Sequence, residues 1–166
     1  MANPTLAPAF CQVPWVVRDI VAAEKFFMET IGITRFMKME NLSAKDTAGT
    51  YMGRPGDWVC HLYIAYAGDT QIELIQPVSG ASMFQESLEK HGDAVQHVAY
   101  WLDDADYDAA AARFEAQGYP QIQGFELPIL RVGYFDTRQA IGVVTELVGA
   151  KGDGHALREQ LKSGSF

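Results

Sequence analysis

The sequence predicts an α+β domain in which one supersecondary unit occurs twice. Short apolar segments typical of strands outnumber the helical ones, and the helices are too few to cover both faces of a parallel sheet. An apolar strand followed by an acidic cap and a helix appears at 11–31 and again at 95–117. Gln12 and His97 hold matching places, because the acidic cap comes seven residues later in both copies. Such a repeat indicates two copies of one folding unit.

Composition limits the classes of protein to consider. A chain of 166 residues that is 48% hydrophobic and 20% charged suits one compact domain, or two small halves that share a core. The net charge of −8 and the absence of a Lys/Arg cluster argue against nucleic-acid binding. No apolar run is long enough to span a bilayer, and the first ten residues do not resemble a signal peptide. We therefore expect a cytoplasmic protein, with Cys11 and Cys60 as buried free thiols.

The first module is predicted over 11–77, after a loosely held lead-in at 1–10. Asp19 is a typical N-cap and Gly32 a typical helix stop. The polar, glycine-containing segment 41–57 is predicted to be a long loop and a candidate lid. The predicted elements of this module are a strand at 12–17, a helix at 20–31, and strands at 33–39, 58–66 and 71–76.

A linker over 78–93 contains a predicted helix, because Phe84 and Leu88 have helical spacing. The second module is predicted over 94–149 and the C-terminal tail over 150–166, with a short helical patch in the tail. The elements of the second module are a strand at 97–102, a helix at 104–117, and strands at 121–125, 130–135 and 143–148. Each module is thus strand–helix–strand–strand–strand, which favours a curved sheet with helices on one side.

Four polar residues lie within otherwise apolar strands. Gln12 and His97 open the first strand of each module, and Glu73 and Glu146 lie in the last. Singly, a strand Glu usually faces solvent and a lone His is usually a hydrogen-bonded core residue. Two internal carboxylates at equivalent places are costly unless paired or bound to a cation. The set therefore predicts a divalent metal site, and its donors suit Zn, Ni, Co, Mn or Fe.

The chain resembles the vicinal oxygen chelate superfamily, which includes glyoxalase I, methylmalonyl-CoA epimerase, extradiol dioxygenases and bleomycin-resistance proteins. The resemblance covers about 11–149. It implies a half-barrel mixed sheet with a central cleft and helices outside. The set Gln, Glu, His, Glu is that of eukaryotic-type glyoxalase I, whereas the linker resembles that of the epimerases, which usually have His in place of Gln12. The segments that carry the resemblance are 17–20, 26–32, 72–77, 92–100, 116–118 and 145–148.

The resemblance implies a metal-dependent isomerase, epimerase or lyase that removes a proton next to a carbonyl and stabilises an enolate or enediolate. Glu146 is the expected base, with Glu73 opposite it. Alignment with the epimerases places His61 where they carry a second base. The expected partner is a small molecule with carbonyl or hydroxyl oxygens, such as a thioester or hydroxy ketone. A homodimer is also expected, and the sequence leaves open whether one chain completes the site.

Three further residues are candidates to contact substrate. Tyr63 shares a strand face with His61, so both are expected to point into the cleft. Tyr100 is a candidate lining residue. Arg138 could bind a carboxylate or phosphate, although an exposed turn arginine is the commoner outcome. Two alternatives remain: a dioxygenase, which favours two His and one carboxylate around iron, and a metal-free binding or resistance protein.

Overall fold

A computed structural model describes residues 5–166, so the first four residues of the predicted lead-in lie outside it. Its strands are β1 (Phe10–Val16), β2 (Met37–Ser43), β3 (Thr50–Tyr51), β4 (Arg54–Pro55), β5 (Val59–Ala67), β6 (Thr70–Ser79), β7 (Ala94–Val95), β8 (His97–Asp103), β9 (Gln121–Leu127), β10 (Leu130–Phe135) and β11 (Val144–Ala150). Its helices are α1 (Ile20–Phe26), α2 (Met83–His91), α3 (Asp104–Ala116), α4 (Arg138–Ile141) and α5 (Gly154–Ser163). No helix within 5–166 is both long and apolar enough to cross a bilayer.

The strands form one mixed sheet in the order β2-β5-β6-β1-β8-β11-β10-β9-β3-β4, and the short β7 also pairs with β1. The two predicted modules meet where β1 pairs antiparallel with β8. Within each module the first and last strands are parallel neighbours: β1 with β6, and β8 with β11. The predicted α+β fold with a curved half-barrel sheet is confirmed. One chain therefore supplies both halves of the concave face.

The first helix begins and ends where its sequence signals lie. The Asp19 carboxylate accepts a hydrogen bond of 2.9 Å from the backbone N–H of Ala22, as expected of an N-cap. The helix widens into a π-helical turn after Phe26 and ends at Gly32, whose φ of +90° favours glycine. Thus the single helix predicted over 20–31 has two backbone geometries.

Alternation along the strands separates the core of the concave face from two cores on the convex face. In β5, Leu62 and Ile64 belong to the core of the concave face, whereas Tyr63 and Ala65 pack under α1 on the convex face. A second convex core packs under α3 and includes Leu102 and Tyr107. Because successive side chains of a strand point to opposite faces, each strand places one set in the interior of the half-barrel and the other against the outer helices.

The region after α1 differs from the prediction. The strand predicted over 33–39 begins only at Met37, because Ile33 and Phe36 pack into the convex core under α1. The predicted loop 41–57 contains β3 and β4. Since β3 pairs with β9, this segment joins the first module to the far edge of the second. Trp58, which is buried, packs edge-on against Phe125. The segment therefore closes one side of the half-barrel and is not a free lid.

The C-terminal tail, predicted to be polar, forms the amphipathic helix α5. Leu157 and Leu161 are one turn apart and face the concave side of the sheet. His155 Nε2 lies 2.6 Å from an Asp103 carboxylate oxygen in the second module. Lys162 Nζ lies 2.5 Å from Asp69 in the first module. Helix α5 therefore spans both modules and covers the concave face.

Candidate metal site

The strand pairing repeats one arrangement in both modules. In the β1–β6 pair, Glu73 lies opposite Pro14, two residues after Gln12. In the β8–β11 pair, Glu146 lies opposite Ala99, two residues after His97. Each carboxylate thus has the same offset from its amide or imidazole partner. The antiparallel contact of β1 with β8 then brings the two pairs together at the centre of the concave face. We name these residues the four-residue cluster: Gln12, Glu73, His97 and Glu146.

The cluster is compact and almost inaccessible to solvent. His97 Nε2 lies 3.1 Å from Glu146 Oε2 and 3.5 Å from Glu73 Oε2. Ligand atoms of these three residues all lie within 4.8 Å of one another. The Gln12 amide donates a hydrogen bond to Glu73. Exposed fractions are 0% for His97, 3% for Gln12 and 4% for each glutamate. Two carboxylates are therefore buried with one imidazole between them.

Burial and charge shift the pKa values in this cluster. Burial lowers the pKa of His97, but the hydrogen bond to Glu146, the close contact with Glu73 and the charges of both outweigh this and raise the pKa to about 9. Burial raises the pKa of Glu73; the nearby His97 ring opposes this, and the charge of Glu146 adds to the rise. In the protein without a cation, one proton on His97 therefore partly balances two acidic groups.

The cluster has the features of a divalent cation site. Glu73 Oε2 is buried and has no hydrogen-bond partner, although His97 Nε2 is 3.5 Å away. Metal–ligand bonds of about 2.0–2.2 Å place neighbouring ligand atoms roughly 3–3.5 Å apart, which matches the observed spacings. A divalent cation would balance both carboxylates and give the free oxygen a partner. The side chains of the four-residue cluster are thus the residues that would hold it.

Gln96, which the sequence analysis did not single out, orients His97. Gln96 Oε1 lies 2.7 Å from His97 Nδ1, and Gln96 is 6% exposed. Because an amide oxygen only accepts, His97 Nδ1 carries the hydrogen of this bond. The tautomer that remains after Nε2 loses its proton therefore presents the Nε2 lone pair to the two glutamates. A partner on the second imidazole nitrogen is a general feature of histidine metal ligands.

We expect the substitution Gln96→Met to weaken Zn²⁺ affinity roughly 10–100-fold, because His97 loses the acceptor that fixes its ring and tautomer. The measurement is competition for Zn²⁺ with a chromophoric chelator. The control is Gln117→Met, since Gln117 is exposed at the end of α3. Equal Zn²⁺ affinities for the two variants would remove Gln96 from this role.

An apolar cavity of about 60 Å³ lies beside the cluster. Gln12, Glu73 and Glu146 line it, so the carboxylates are open to its interior. Side chains of β2, β5, β9, β10 and β11 form its walls, and Leu157 and Leu161 of α5 form its roof. A bound organic molecule would therefore be enclosed between the carboxylates and α5.

The structure does not bring His61 and Tyr63 to this cavity, which corrects the expectation that they point into the cleft. Leu62 and Ile64 line the cavity instead, and their alternation turns His61 and Tyr63 to the other face. His61 Nδ1 accepts a hydrogen bond of 3.1 Å from the Asn41 backbone N–H. The sequence shows which residues of β5 share a face, but not which face is concave.

Tyr100 and Arg138 also lie away from the cluster. Tyr100 packs against the core under α3, and its ring meets Phe10 edge-on at 5.7 Å. Arg138 is exposed and forms an ion pair of 2.7 Å with Asp136. It lines a separate surface cleft of about 670 Å³ along α2. The exposed turn arginine weighed in the sequence analysis is therefore the observed arrangement, and neither residue lines the cavity.

Two polar side chains beside the cluster were missed as site candidates. The backbone register places Tyr134 between Glu146 on β11 and Gln123 on β9. The Tyr134 ring meets the His97 ring edge-on at 5.1 Å. Tyr134 Oη and Gln123 Nε2 are buried without hydrogen-bond partners. A glutamine within the apolar strand 121–125 was the available signal, by the same criterion that selected Gln12.

Solved structures share this architecture. Methylmalonyl-CoA epimerase from Mycobacterium tuberculosis has a TM-score of 0.66 at 21% identity, over 94% of this chain and 97% of that one. A hypothetical protein from Bacillus halodurans has a TM-score of 0.65 at 18% identity, over 86% and 94%. Streptomyces coelicolor methylmalonyl-CoA epimerase in complex with 2-nitronate-propionyl-CoA has a TM-score of 0.59 at 20% identity, over 85% and 93%. At these identities the likeness shows the fold alone.

The sequence matches a family model, whereas no curated protein matches it. A family model described as the glyoxalase/bleomycin resistance protein/dioxygenase superfamily matches residues 11–128. This range contains most of both modules and three members of the four-residue cluster. The chain therefore belongs to the glyoxalase/bleomycin resistance protein/dioxygenase superfamily, the vicinal oxygen chelate superfamily that the sequence resembled.

Proposed function

We propose that the protein is a divalent-metal-dependent isomerase or epimerase that moves a proton on a carbon next to a carbonyl group. One observation carries the proposal: two buried carboxylates flank a buried imidazole at 3.1 and 3.5 Å and line an apolar cavity. Gln12, Glu73, His97 and Glu146 would hold the cation. The substrate would be a small molecule with carbonyl or hydroxyl oxygens on adjacent carbons, or a thioester.

Glu146 is the proposed base. When bound, a divalent cation supplies a Lewis acid that stabilises the negative charge developed on a carbonyl oxygen after C–H cleavage. Glu146 lines the cavity, so its carboxylate can reach a carbon held there and accept its proton. Glu73 lines the same cavity. The two carboxylates can thus deliver a proton to either face of a planar intermediate.

Glu73 is the proposed second acid–base group. It lines the same cavity as Glu146, so it can exchange a proton with a carbon held there. Protonation of the same carbon by Glu73 gives epimerisation, whereas transfer of the abstracted proton from Glu146 to the neighbouring carbon gives isomerisation. The apolar walls and the α5 roof lower the local polarity, which strengthens the electrostatic effects.

The donor set favours this chemistry over the alternatives weighed from the sequence. Non-haem iron oxygenases typically use two His and one carboxylate, whereas this cluster offers one His, two carboxylates and an amide. A metal-free binding protein has no need of two buried carboxylates with an unpartnered oxygen. A homodimer and a cytoplasmic location remain predictions.

The test is metal analysis of the purified wild-type protein combined with deuterium exchange. We expect a stoichiometric divalent ion and exchange of deuterium from heavy water into the carbon-bound positions of a hydroxy ketone. Methylmalonyl-CoA, the ligand named for one structural neighbour, is the second substrate to assay. Chelation should abolish exchange and added metal should restore it. Exchange that chelation leaves unchanged, or the absence of exchange with every carbonyl compound assayed, would contradict the proposal.

A further inference from the structure

We infer that the substrate is an uncharged carbonyl compound with an apolar body, and that a compound carrying a free carboxylate is disfavoured. This inference rests on the proposed function, because it assumes that the four-residue cluster holds a divalent cation next to the substrate. The charge of the cluster, the lining of the cavity and the contacts of α5 each support it.

The charges of the cluster leave nothing to balance an anionic substrate. Glu73 and Glu146 carry two negative charges, and His97 is neutral when its Nε2 ligates. A divalent cation therefore brings the site to zero net charge. Among the described residues that line the cavity, none is a lysine, arginine or histidine. A substrate carboxylate would give this buried, otherwise neutral site a net negative charge that no neighbouring side chain balances, which is costly.

The one arginine of α5, Arg158, does not line the cavity and already has partners at its edge. Arg158 Nε lies 3.4 Å from Tyr66 Oη, and its guanidinium lies 5.4 Å from the centre of the Trp101 ring. Arg158 is only partly buried, whereas Leu157 and Leu161 are the α5 residues that line the cavity. Helix α5 thus turns Leu157 and Leu161 toward the cavity, whereas its Arg158 guanidinium lies against the Trp101 ring.

The cavity walls match an apolar body. They include Met37, Met39, Leu62, Leu130, Leu157 and Leu161. Each methylene buried against such walls increases affinity roughly threefold to fourfold. The cavity of about 60 Å³ is smaller than a substrate with several carbons, so side chains or α5 must shift to admit one.

The parts that must shift are adaptable. Met37 and Met39 are partly buried, and methionine side chains readily change shape. Ion pairs of His155 and Lys162 attach α5 to the two modules, and their side chains are 52% and 42% exposed. Exposed ion pairs contribute little to stability, so moving α5 outward costs little at these contacts.

The test compares matched ligands on the full-length protein loaded with Zn²⁺. The series is hydroxyacetone and its homologues with ethyl, propyl and butyl groups, all uncharged. The charged match is the 2-oxo acid with the same butyl group, in which a carboxylate replaces the hydroxymethyl group. Affinity is measured by calorimetry and by the change in tryptophan fluorescence, since Trp101 lines the cavity. We expect affinity to rise about threefold per methylene and the butyl ketone to bind roughly tenfold or more tightly than the acid.

A variant tests the charge argument directly. Leu157→Lys places a cation in the roof and should raise the affinity for the acid relative to the butyl ketone by roughly tenfold. The control is Gln160→Lys, which adds the same charge on the exposed side of α5 and should leave the wild-type ratio unchanged.

The outcomes separate this inference from the proposed function. An acid that binds the wild-type protein as tightly as the matched ketone overturns the inference, as does affinity that does not rise with chain length or the absence of binding by every ketone. If the ketones bind in the expected order but exchange no deuterium, the result supports the uncharged ligand class and contradicts the proposed isomerase activity. Deuterium exchange into methylmalonyl-CoA with weak ketone binding contradicts the ligand class and supports the isomerase.

Discussion

The substitution Glu146→Gln is expected to lower the rate of deuterium exchange roughly 10²–10⁴-fold while the protein stays folded. The amide cannot accept a proton from carbon, so the proposed base is lost. The fold should persist because the replacement has nearly the same shape and removes one of two buried negative charges. An amide can also donate to His97 Nε2, which lies 3.1 Å from the present carboxylate oxygen.

The rate of exchange into a hydroxy ketone is measured with excess Zn²⁺, and bound metal is quantified on the same samples. This separates loss of the base from loss of a ligand. The control is Glu115→Gln, an exposed position on α3 that should exchange at the wild-type rate. A variant at Glu146 that binds metal and retains wild-type exchange would remove Glu146 from the role of base.

The protein freed of metal by chelation is expected to lose a few kcal/mol of stability as pH rises from 6.5 to about 9. The folded pKa of His97, about 9, is above the ordinary value of 6.5, so the folded state binds more protons than the unfolded chain in this range. The stabilisation is complete below pH 6.5 and is lost as pH rises through the folded pKa. The pKa of Glu73, raised by burial, acts in the same direction.

A bound divalent cation should replace this proton and reverse the trend. At a concentration 1,000 times its Kd, a cation adds about 4 kcal/mol of stability, which corresponds to a rise in Tm on the order of 10 °C for a chain of this size. Unfolding is followed by urea titration for the free energy and by heating for the Tm, with and without Zn²⁺ across the pH range.

The control for the pH dependence is the substitution of a second histidine, His155. His155→Gln changes an exposed residue and should keep the loss of stability in the chelated protein, whereas His97→Gln should flatten it. If the stability of the chelated protein falls by the same amount with rising pH in both variants, His97 is not the source of the pH dependence.

Helix α5 shows which structural features follow from the local sequence and which depend on distant contacts. Leu157 and Leu161 have the spacing of an apolar helical stripe, which is visible in the sequence. The surrounding segment 150–166 is polar, so its pattern predicts only a short helical patch. That the two leucines close a cavity depends on β2, β5 and β10, which are distant in sequence.

Loop 41–57 gives a second example. Its polar and glycine residues correctly indicate irregular backbone, including the positive φ at Gly53. Its packing depends on the pairing of Thr50 with Gly124, a contact between modules. Local turn chemistry contains no information on such a long-range pair, and for that reason a bridging segment was predicted to be a lid.

The repeat and the four candidate ligands could be predicted from the sequence, because a repeated spacing and a polar residue in an apolar strand are local features. Which face of each strand is concave depends on the assembled sheet, and this separates Leu62 in the cavity from His61 outside it. The assembled sheet also brings the cluster together within one chain, places Gln96 beside His97 and lets α5 cover the cavity. The physical reason is that strand alternation defines two faces equally well, whereas the curvature of the assembled sheet and its long-range pairing give one face its buried charges.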